Sequence, residues 1–266
     1  MSRCFNGLYC LHLELTSRCN KNCWMCGRRK IDKEYPEIAM NYGDMDFELV
    51  RKIAGQVPEG IVVQFHNNGE PLLYPQFGEA VSLFSNQIKC VDTNAKLIVA
   101  KADEIIDNLD TITISVFERD EEGDEQYNLV REFLGIKGNR KPNVIFRCLG
   151  DVDTDKWKKL DGIIATRILH NPLGSFKYTK NPTVPEIGIC IEILNHMAID
   201  RFGKVSICVR FDPKRLGVIG DVVEDLLLDI WNGPKRKEWL QYHIQGRRDK
   251  VPLCSYCDFW GVPTGL

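Results

Sequence analysis

The sequence predicts an α/β protein, namely a partial (β/α)6 parallel barrel that is followed by a small C-terminal domain. Three observations predict it. From residue 9 to about 170, short apolar runs alternate with amphipathic stretches, as in right-handed parallel crossovers. The stretch around residues 173–187 loses this periodicity and is rich in proline, glycine and lysine, which predicts a linker between residues 1–172 and 188–266. Finally, 266 residues are too few for an appendage plus a full eight-unit barrel, which alone needs about 250.

Six short apolar runs predict the strands of the barrel. In the first run, residues 9–15, leucines alternate with His12 and Glu14, so one face is apolar and the other is polar. The next run, at residues 61–66, carries Gln64 and His66 at its polar positions. The remaining strands are predicted at residues 88–93, 111–117, 143–149 and 162–169.

Amphipathic stretches between these runs predict the helices. Asp46 is a favourable N-cap for the first of them, and Met45 and Val50 can form a hydrophobic staple across that cap. Further barrel helices are predicted near residues 76–86, 96–108, 124–135 and 154–160. In the C-terminal domain, we expect a hairpin and then two helices, at residues 196–209, 223–232 and 235–244.

Composition and charge exclude several classes of function. The net charge of −2 gives no general affinity for nucleic acid or for an anionic membrane surface. No apolar run approaches the roughly 18 residues that a transmembrane helix needs. The N-terminus lacks the apolar core and cleavage site of a signal peptide, so we expect a cytoplasmic protein.

Eleven cysteines are many for a reducing compartment, where clustered cysteines indicate metal sites or catalysis. Cys19, Cys23 and Cys26 have the spacing C-x3-C-x2-C and directly follow the first predicted strand. Active sites of parallel β/α folds lie at this end of the strands. Three thiolates suit a [4Fe–4S] cluster with one open iron. The alternative is a zinc site that borrows a distant fourth ligand such as Cys10.

This spacing after a first strand resembles the radical S-adenosylmethionine (SAM) superfamily. The resemblance implies that SAM chelates the open iron and is cleaved by one electron, which produces a 5′-deoxyadenosyl radical. A second mark supports it, because "NNGEP" follows the second strand and is similar to the superfamily's GGEP motif. The resemblance implies that this turn receives the SAM amino group, and the matching residues are Asn68, Gly69, Glu70 and Pro71.

Further residues that the resemblance assigns to SAM lie in and after the other strands. Met25 precedes the third cysteine, and Asn94 lies in "DTNA", which is similar to the superfamily's TNG-like turn. Ser115 matches the position that commonly binds the SAM ribose. Arg147 is the expected partner of the SAM carboxylate, since a guanidinium binds a carboxylate with two hydrogen bonds.

A second cysteine group lies in the last third of the chain. Cys190, Cys208, Cys254 and Cys257 have the spacing C-x17-C-x45-C-x2-C, and four thiolates can close either a zinc site or a [4Fe–4S] cluster. The surrounding sequence resembles the C-terminal extension of radical SAM enzymes called SPASM, in its short Twitch form. That resemblance implies an auxiliary [4Fe–4S] cluster. The overall layout is closest to that of the aminocyclitol dehydrogenases of the superfamily.

Together these patterns predict a radical SAM oxidoreductase with two [4Fe–4S] clusters. We expect a small polar substrate such as a sugar or cyclitol alcohol, with the auxiliary cluster accepting an electron. Candidate catalytic residues are His66, Arg147 and Arg210. A flavodoxin- or ferredoxin-type protein is the expected electron donor. The alternatives are a SPASM-type enzyme that modifies a peptide and a non-enzymatic metal-binding module.

Overall fold

The computed structural model describes residues 4–39, 41–169, 189–209 and 212–257. The predicted linker at residues 173–187 and the candidate Arg210 therefore lie outside the described residues. In the part of the chain that is described, no helix is both long and apolar enough to cross a membrane.

Six parallel strands form the wall of the partial barrel, and each coincides with a predicted strand. They pair side by side in the order in which they occur along the chain, which is the arrangement expected of successive right-handed β/α units. Their bounds are β1 Cys10–Leu13, β2 Val62–Phe65, β3 Ile88–Thr93, β4 Thr111–Phe117, β5 Asn143–Leu149 and β6 Ile163–Arg167. The predicted α/β class is confirmed.

Helices of this part of the chain lie between the strands. The Asp46 carboxylate accepts hydrogen bonds from the backbone N–H groups of Glu48 and Leu49, so the predicted N-cap is present. The helix expected near residues 96–108 is only four residues long, and Asp107 follows it with a left-handed φ of 61°. The bounds are α1 Arg28–Glu34, α2 Pro36–Ala39, α3 Phe47–Ala54, α4 Phe77–Ser82, α5 Ala102–Ile105, α6 Gly123–Lys137 and α7 Thr154–Trp157.

The two faces of β1 have different surroundings, as their alternation predicts. Leu11 and Leu13 are fully buried in the main hydrophobic core, together with large aromatic side chains such as Phe65. His12 and the buried Glu14 occupy the alternate positions and face the interior of the barrel. Polar side chains therefore line the concave side of the sheet, whereas the helices cover its apolar side.

The C-terminal region extends the same sheet. Its elements are α8 Ile191–Asn195, β7 His196–Ile199, β8 Lys204–Ser206, β9 Val218–Asp221, α9 Leu227–Trp231 and α10 Pro234–Ile244. The predicted hairpin is present as antiparallel β7 and β8, but β7 also pairs in parallel with β1. One nine-stranded sheet results, in the order β6-β5-β4-β3-β2-β1-β7-β8-β9. The sequence did not predict this junction, because strand partners outside a hairpin are not encoded locally.

Four cysteines, Cys4, Cys10, Cys90 and Cys148, lie outside both groups, and the sequence predicts that each is a small buried hydrophobic residue. Cys10 and Cys148 are buried, and Cys90 is partly buried. For Cys4 the expectation was wrong, because its side chain is exposed and its thiol lies 2.7 Å from the Oδ1 atom of Asn6.

Candidate active site

Three free thiols lie on the loop between β1 and α1, at the carboxyl end of the first strand. Cys19, Cys23 and Cys26 are all partly exposed. Burial, together with the neighbouring charges of Cys26 and Cys19, raises the pKa of Cys23 to about 12. All three thiols lie on one short loop, and Cys19 and Cys26 are near enough to Cys23 to affect its ionisation. Thiols in such surroundings remain protonated until a metal ion displaces the proton.

Two contacts fasten this loop to the segment that follows β4. The indole Nε1–H of Trp24 donates to the carbonyl oxygen of Glu118 at 3.0 Å. The ammonium group of Lys21 lies 2.6 Å from Asp120 Oδ2, and both side chains are more than nine-tenths buried. The cysteine loop is therefore held in place before any metal binds. Met25 lies between the second and third cysteines and is half-buried.

The turn after β2 packs directly against the start of the cysteine loop. Gly69 has a left-handed φ of +81°, and a Cβ atom there would lie 2.5 Å from the carbonyl oxygen of Thr16. The backbone N–H of Glu70 donates to the carbonyl of Arg18 at 2.7 Å. Only glycine allows this approach. Asn68, which replaces a glycine of the family motif, has no left-handed φ, so its side chain is compatible with the turn.

The Gly69→Ala variant is expected to lose several kcal/mol of unfolding free energy, since it combines a left-handed backbone with a steric overlap. Gly60→Ala is the matched control, because Gly60 has a φ of +76° but nothing within 4 Å of its Cβ position. The control should lose only about 1–2 kcal/mol. Urea unfolding of both variants measures the difference, and equal losses would contradict the close approach.

Glu70 ties two strand-end turns together. Its carboxylate accepts hydrogen bonds from the backbone N–H of Leu72, the Thr93 hydroxyl and the backbone N–H of Asn94, at 3.1, 2.7 and 2.7 Å. Burial raises the pKa of Glu70 to about 7, although these hydrogen bonds oppose the increase. The side chain is therefore fully used within the protein, and Pro71 beside it is also buried. What this turn offers to a ligand is its backbone.

Asn94 connects the third strand end to the cysteine loop. Its side-chain amide donates to Asn20 at 2.9 Å and lies 3.9 Å from the Cys19 sulfur. The Gln126 amide of α6 bonds the carbonyl oxygens of Asn94 and Ser115, each at 3.0 Å. The ends of β3 and β4 are therefore held together. The predicted residues Asn94 and Ser115 lie on neighbouring strand ends as expected, while their contacts with SAM stay a prediction.

Arg147 pairs with an acidic residue that the sequence reasoning did not single out. Its guanidinium binds Asp92 through two nitrogen atoms, with Nη2 3.1 Å from Oδ1. Asp92 also accepts from Gln64 at 2.8 Å, and His66 Nε2 lies 3.9 Å from it. Burial opposes ionisation of Asp92, but the charges of His66 and Arg147 outweigh it and hold the pKa of Asp92 below its usual value. The proposed role of Arg147 towards the SAM carboxylate remains a prediction.

The Asp92→Asn variant is expected to cost about 3 kcal/mol of unfolding free energy, because it leaves the partly buried Arg147 without its counter-ion. Asp110→Asn is the control, since Asp110 pairs with Lys141 at the surface, with the two side chains 30% and 61% exposed. That change should cost less than about 1 kcal/mol. Urea unfolding compares the two variants, and similar losses would show that the interior pair adds no stability.

Glu14 links the turn after β2 to the C-terminal hairpin. One carboxylate oxygen accepts from both the backbone and side-chain N–H groups of Asn68, at 3.1 and 2.8 Å. The other oxygen lies 3.4 Å from the backbone nitrogen of Arg201, in the turn between β7 and β8. Burial raises the pKa of Glu14. The side chain therefore couples the "NNGEP" turn to the C-terminal region.

The second cysteine group also converges in space. Cys190 precedes α8, Cys208 follows β8, and Cys254 and Cys257 bracket a single 3-10 turn. Burial, together with the charges of Cys190 and Cys257, raises the pKa of Cys254 to about 12. Cys208 packs against the same small core as Cys190 and Cys254, which contains Ile193, Ile207, Trp239 and Val251. Residues far apart in sequence are thus brought to one place.

A cavity of about 630 Å³ lies between the two cysteine groups. Cys26 and Gly69 border it on the barrel side, and Cys208 borders it on the C-terminal side. His66 and the charged residues Asp200 and Lys204 contribute to its lining. The volume is in the range of small-molecule sites, and the lining is polar and charged of both signs.

The residues at both cysteine groups fit iron–sulfur clusters. Of the three thiols of the loop, Cys26 lines the cavity. A cluster held by these thiols would have one iron accessible from the cavity. Of the later four cysteines, Cys190, Cys208 and Cys254 pack against an apolar core, which suits a closed site. A cofactor that touches both the first cluster and the Gly69 turn would fit, because the same cavity borders both.

Comparisons with known proteins agree with this arrangement. Residues 190–258 match the family model of the SPASM domain, an iron–sulfur cluster-binding domain. The fold is similar to that of BtrN in complex with AdoMet and 2-DOIA, with a TM-score of 0.66, 18% identity, and coverage of 97% of this chain and 95% of that one. The chain has the fold of radical SAM enzymes.

Two further relatives support the same assignment of the radical SAM fold. Streptococcus suis SuiB bound to S-adenosylmethionine superimposes with a TM-score of 0.62 at 14% identity, covering 95% of this chain and 72% of SuiB. In sequence, the chain is 24% identical over 266 residues to the S-adenosyl-L-methionine-dependent 2-deoxy-scyllo-inosamine dehydrogenase of Niallia circulans. That match covers 96% of this chain and 94% of the relative. The expected radical SAM fold with a SPASM domain is confirmed.

Sequence reasoning missed several residues that organise this site. Asp92 occurs in "DTNA", and that motif alone predicts only a turn. Side chains alternate between the two faces of a strand, so Asp92 lies on the same face of β3 as Cys90, which is two residues before it. This alternation could have placed Asp92 inside the barrel. Gln126 carried no such signal, since a glutamine on an amphipathic helix is most often exposed.

Proposed function

We propose that this protein is a radical SAM oxidoreductase that oxidises an alcohol of a small polar substrate, such as a sugar or cyclitol. The observation that carries the proposal is the polar cavity, which is lined by Cys26 of the first cysteine group and by Cys208 of the second. The similarity to a dehydrogenase of this reaction class over nearly the whole chain supports it. The cavity volume favours a small molecule over the peptide substrates considered above.

Cys19, Cys23 and Cys26 would hold the first [4Fe–4S] cluster, and Cys190, Cys208, Cys254 and Cys257 would hold the auxiliary one. With SAM bound, the first cluster would supply a 5′-deoxyadenosyl radical that takes a hydrogen atom from the carbinol carbon. A flavodoxin- or ferredoxin-type donor would provide the electron for SAM cleavage.

The protein's own residues would orient the substrate and accept its proton. His66 lines the cavity and has Asp92 beside it, at 3.9 Å, to stabilise a positive charge on the imidazole. We assign to His66 the uptake of the hydroxyl proton. Arg147 also pairs with Asp92. The Asp92 carboxylate is therefore occupied and does not compete with the His66 imidazole for the substrate hydroxyl. The carbinol group loses a hydrogen atom from carbon to the radical, a proton from oxygen to His66 and one electron, which the auxiliary cluster would accept, and a ketone results.

The test combines metal analysis with isotope transfer. Protein that is purified and reconstituted without oxygen should hold about eight irons per chain and form 5′-deoxyadenosine from SAM on reduction. With polyols or aminocyclitols deuterated at the carbinol carbons, deuterium should appear in the 5′-deoxyadenosine, together with one equivalent of ketone. Two zinc ions per chain without SAM cleavage would disprove the radical chemistry. Cleavage with deuterium transfer from a peptide instead would disprove the substrate class.

A further inference from the structure

We propose that His12, Glu192 and His196 form a binding site for a divalent transition metal of the zinc type, separate from both cysteine groups. His12 lies on β1, Glu192 on α8, and His196 is the first residue of β7. One ligand atom from each side chain lies within 4.8 Å of the other two. Within the described residues, no other trio of His, Cys, Asp or Glu side chains comes as close together.

The donor set suits such an ion. Two imidazoles and one carboxylate bind zinc in sites that retain an open position, and the same set binds other first-row metals. Zinc–ligand bonds of about 2.0–2.1 Å place tetrahedral ligands about 3.3 Å apart. His196 Nδ1 and Glu192 Oε2 are already 3.0 Å apart, and the His12 and His196 ring centroids are 5.4 Å apart. All three ligand atoms already lie within 4.8 Å of one another, so the remaining approach is short.

The hydrogen bonding of the His12 ring is a second observation that favours a bound ion. Its Nδ1 atom is buried and has no hydrogen-bond partner among the described residues. A buried polar atom without a hydrogen-bond partner destabilises the fold, and a bound ion would remove this cost. The other nitrogen, Nε2, lies 3.7 Å from the Cys10 sulfur. If Nε2 carries the hydrogen, Nδ1 offers its lone pair, which is the usual arrangement of a metal-bound histidine.

The charge state and access of the group agree with metal binding. Burial lowers the pKa of His12 to about 4, so the imidazole is neutral and can act as a ligand near neutral pH. The Glu192 and His196 side chains are 11% and 22% exposed, which leaves a path by which an ion can enter. A bound metal would join β1 of the barrel to α8 and β7, and would stabilise the seam between the two parts of the chain. This inference does not depend on the proposed activity.

The test uses the reconstituted holoprotein, so that both cysteine groups are already filled. It is incubated with a slight excess of zinc, passed through a weak chelating resin and analysed for metals. We expect about one zinc per chain with the iron content unchanged. The variants His196→Gln and Glu192→Gln should each bind zinc at least about 10-fold more weakly. His66→Gln removes another imidazole of the barrel interior outside the trio, and should retain zinc.

Zinc K-edge absorption then identifies the ligands. A first shell of nitrogen and oxygen at about 2.0 Å is expected, whereas a sulfur shell at about 2.3 Å would place the zinc at cysteines and overturn the proposal. Failure of the wild type to retain zinc would overturn it as well. So would full retention by both variants. Because His196 is partly exposed, its substitution should leave the protein folded. Zinc should also raise the thermal midpoint of the wild type but not that of His196→Gln.

Discussion

Replacement of Cys23 by alanine is expected to abolish SAM cleavage and to halve the bound iron, from about eight to about four atoms per chain. Only three thiols converge on the loop after β1, so the loss of one leaves a cubane with two protein ligands. Removal of a residue that only hydrogen-bonds to a metal ligand lowers activity by up to roughly 100-fold. Removal of the ligand Cys23 itself should lower activity by more than that. Iron analysis and the amount of 5′-deoxyadenosine formed measure the two effects.

Cys90→Ala is the matched control for Cys23→Ala. Cys90 lies on β3 of the same barrel and has a comparable partly buried thiol, but it is outside the cysteine loop. Burial also raises its pKa, to about 11. The control should retain both clusters and SAM cleavage. Unchanged cleavage in Cys23→Ala would show that the loop does not hold the reactive cluster.

Replacement of Cys254 by alanine should have a different result, namely retention of SAM cleavage with loss of the oxidised product. Cys254 belongs to the second group, which packs against its own small core. The iron content should again fall by about half, because one of two cubanes is lost. Formation of 5′-deoxyadenosine should continue, while the yield of ketone per 5′-deoxyadenosine should fall by at least about 100-fold if the second cluster is the electron acceptor.

Ser255→Ala tests whether the effect of Cys254→Ala is specific. Ser255 lies in the same 3-10 turn, and its exposed hydroxyl donates only to the carbonyl of Pro252. This control should keep both clusters and a normal ratio of ketone to 5′-deoxyadenosine. If Cys254→Ala lost SAM cleavage together with the product, the second site would be required for the barrel itself, and the acceptor role would be wrong.

Much of the fold could be predicted because its signals are local. The leucines of β1 recur at every second residue, and the Asp46 cap lies directly before α3, so neither depends on distant partners. The cysteine spacings are equally local. The convergence of Cys190 with Cys254 could be predicted only because the chain resembles a family in which such cysteines share a cluster.

The organising contacts of the site could not be predicted in this way, since each joins residues far apart in sequence. Asp92 and Arg147 are 55 positions apart, and Glu14 and Arg201 are 187 apart. No local pattern links such residues. Each is a common polar residue type that is as readily placed at the protein surface as in the interior. The pairing of β7 with β1 could not be predicted for the same reason, because the packing of the whole sheet determines which strands pair in parallel.

The junction between β7 and β1 bears on electron tunnelling. Backbone pairing runs from Cys10 opposite His196 to Leu13 opposite Ile199, and the two strands cannot slide without breaking the ladder. β1 leads into the first cysteine group, and β8, which pairs with β7, leads to Cys208. Tunnelling rates fall exponentially with distance. A continuous sheet would therefore keep the spacing of the two proposed redox centres constant from one turnover to the next.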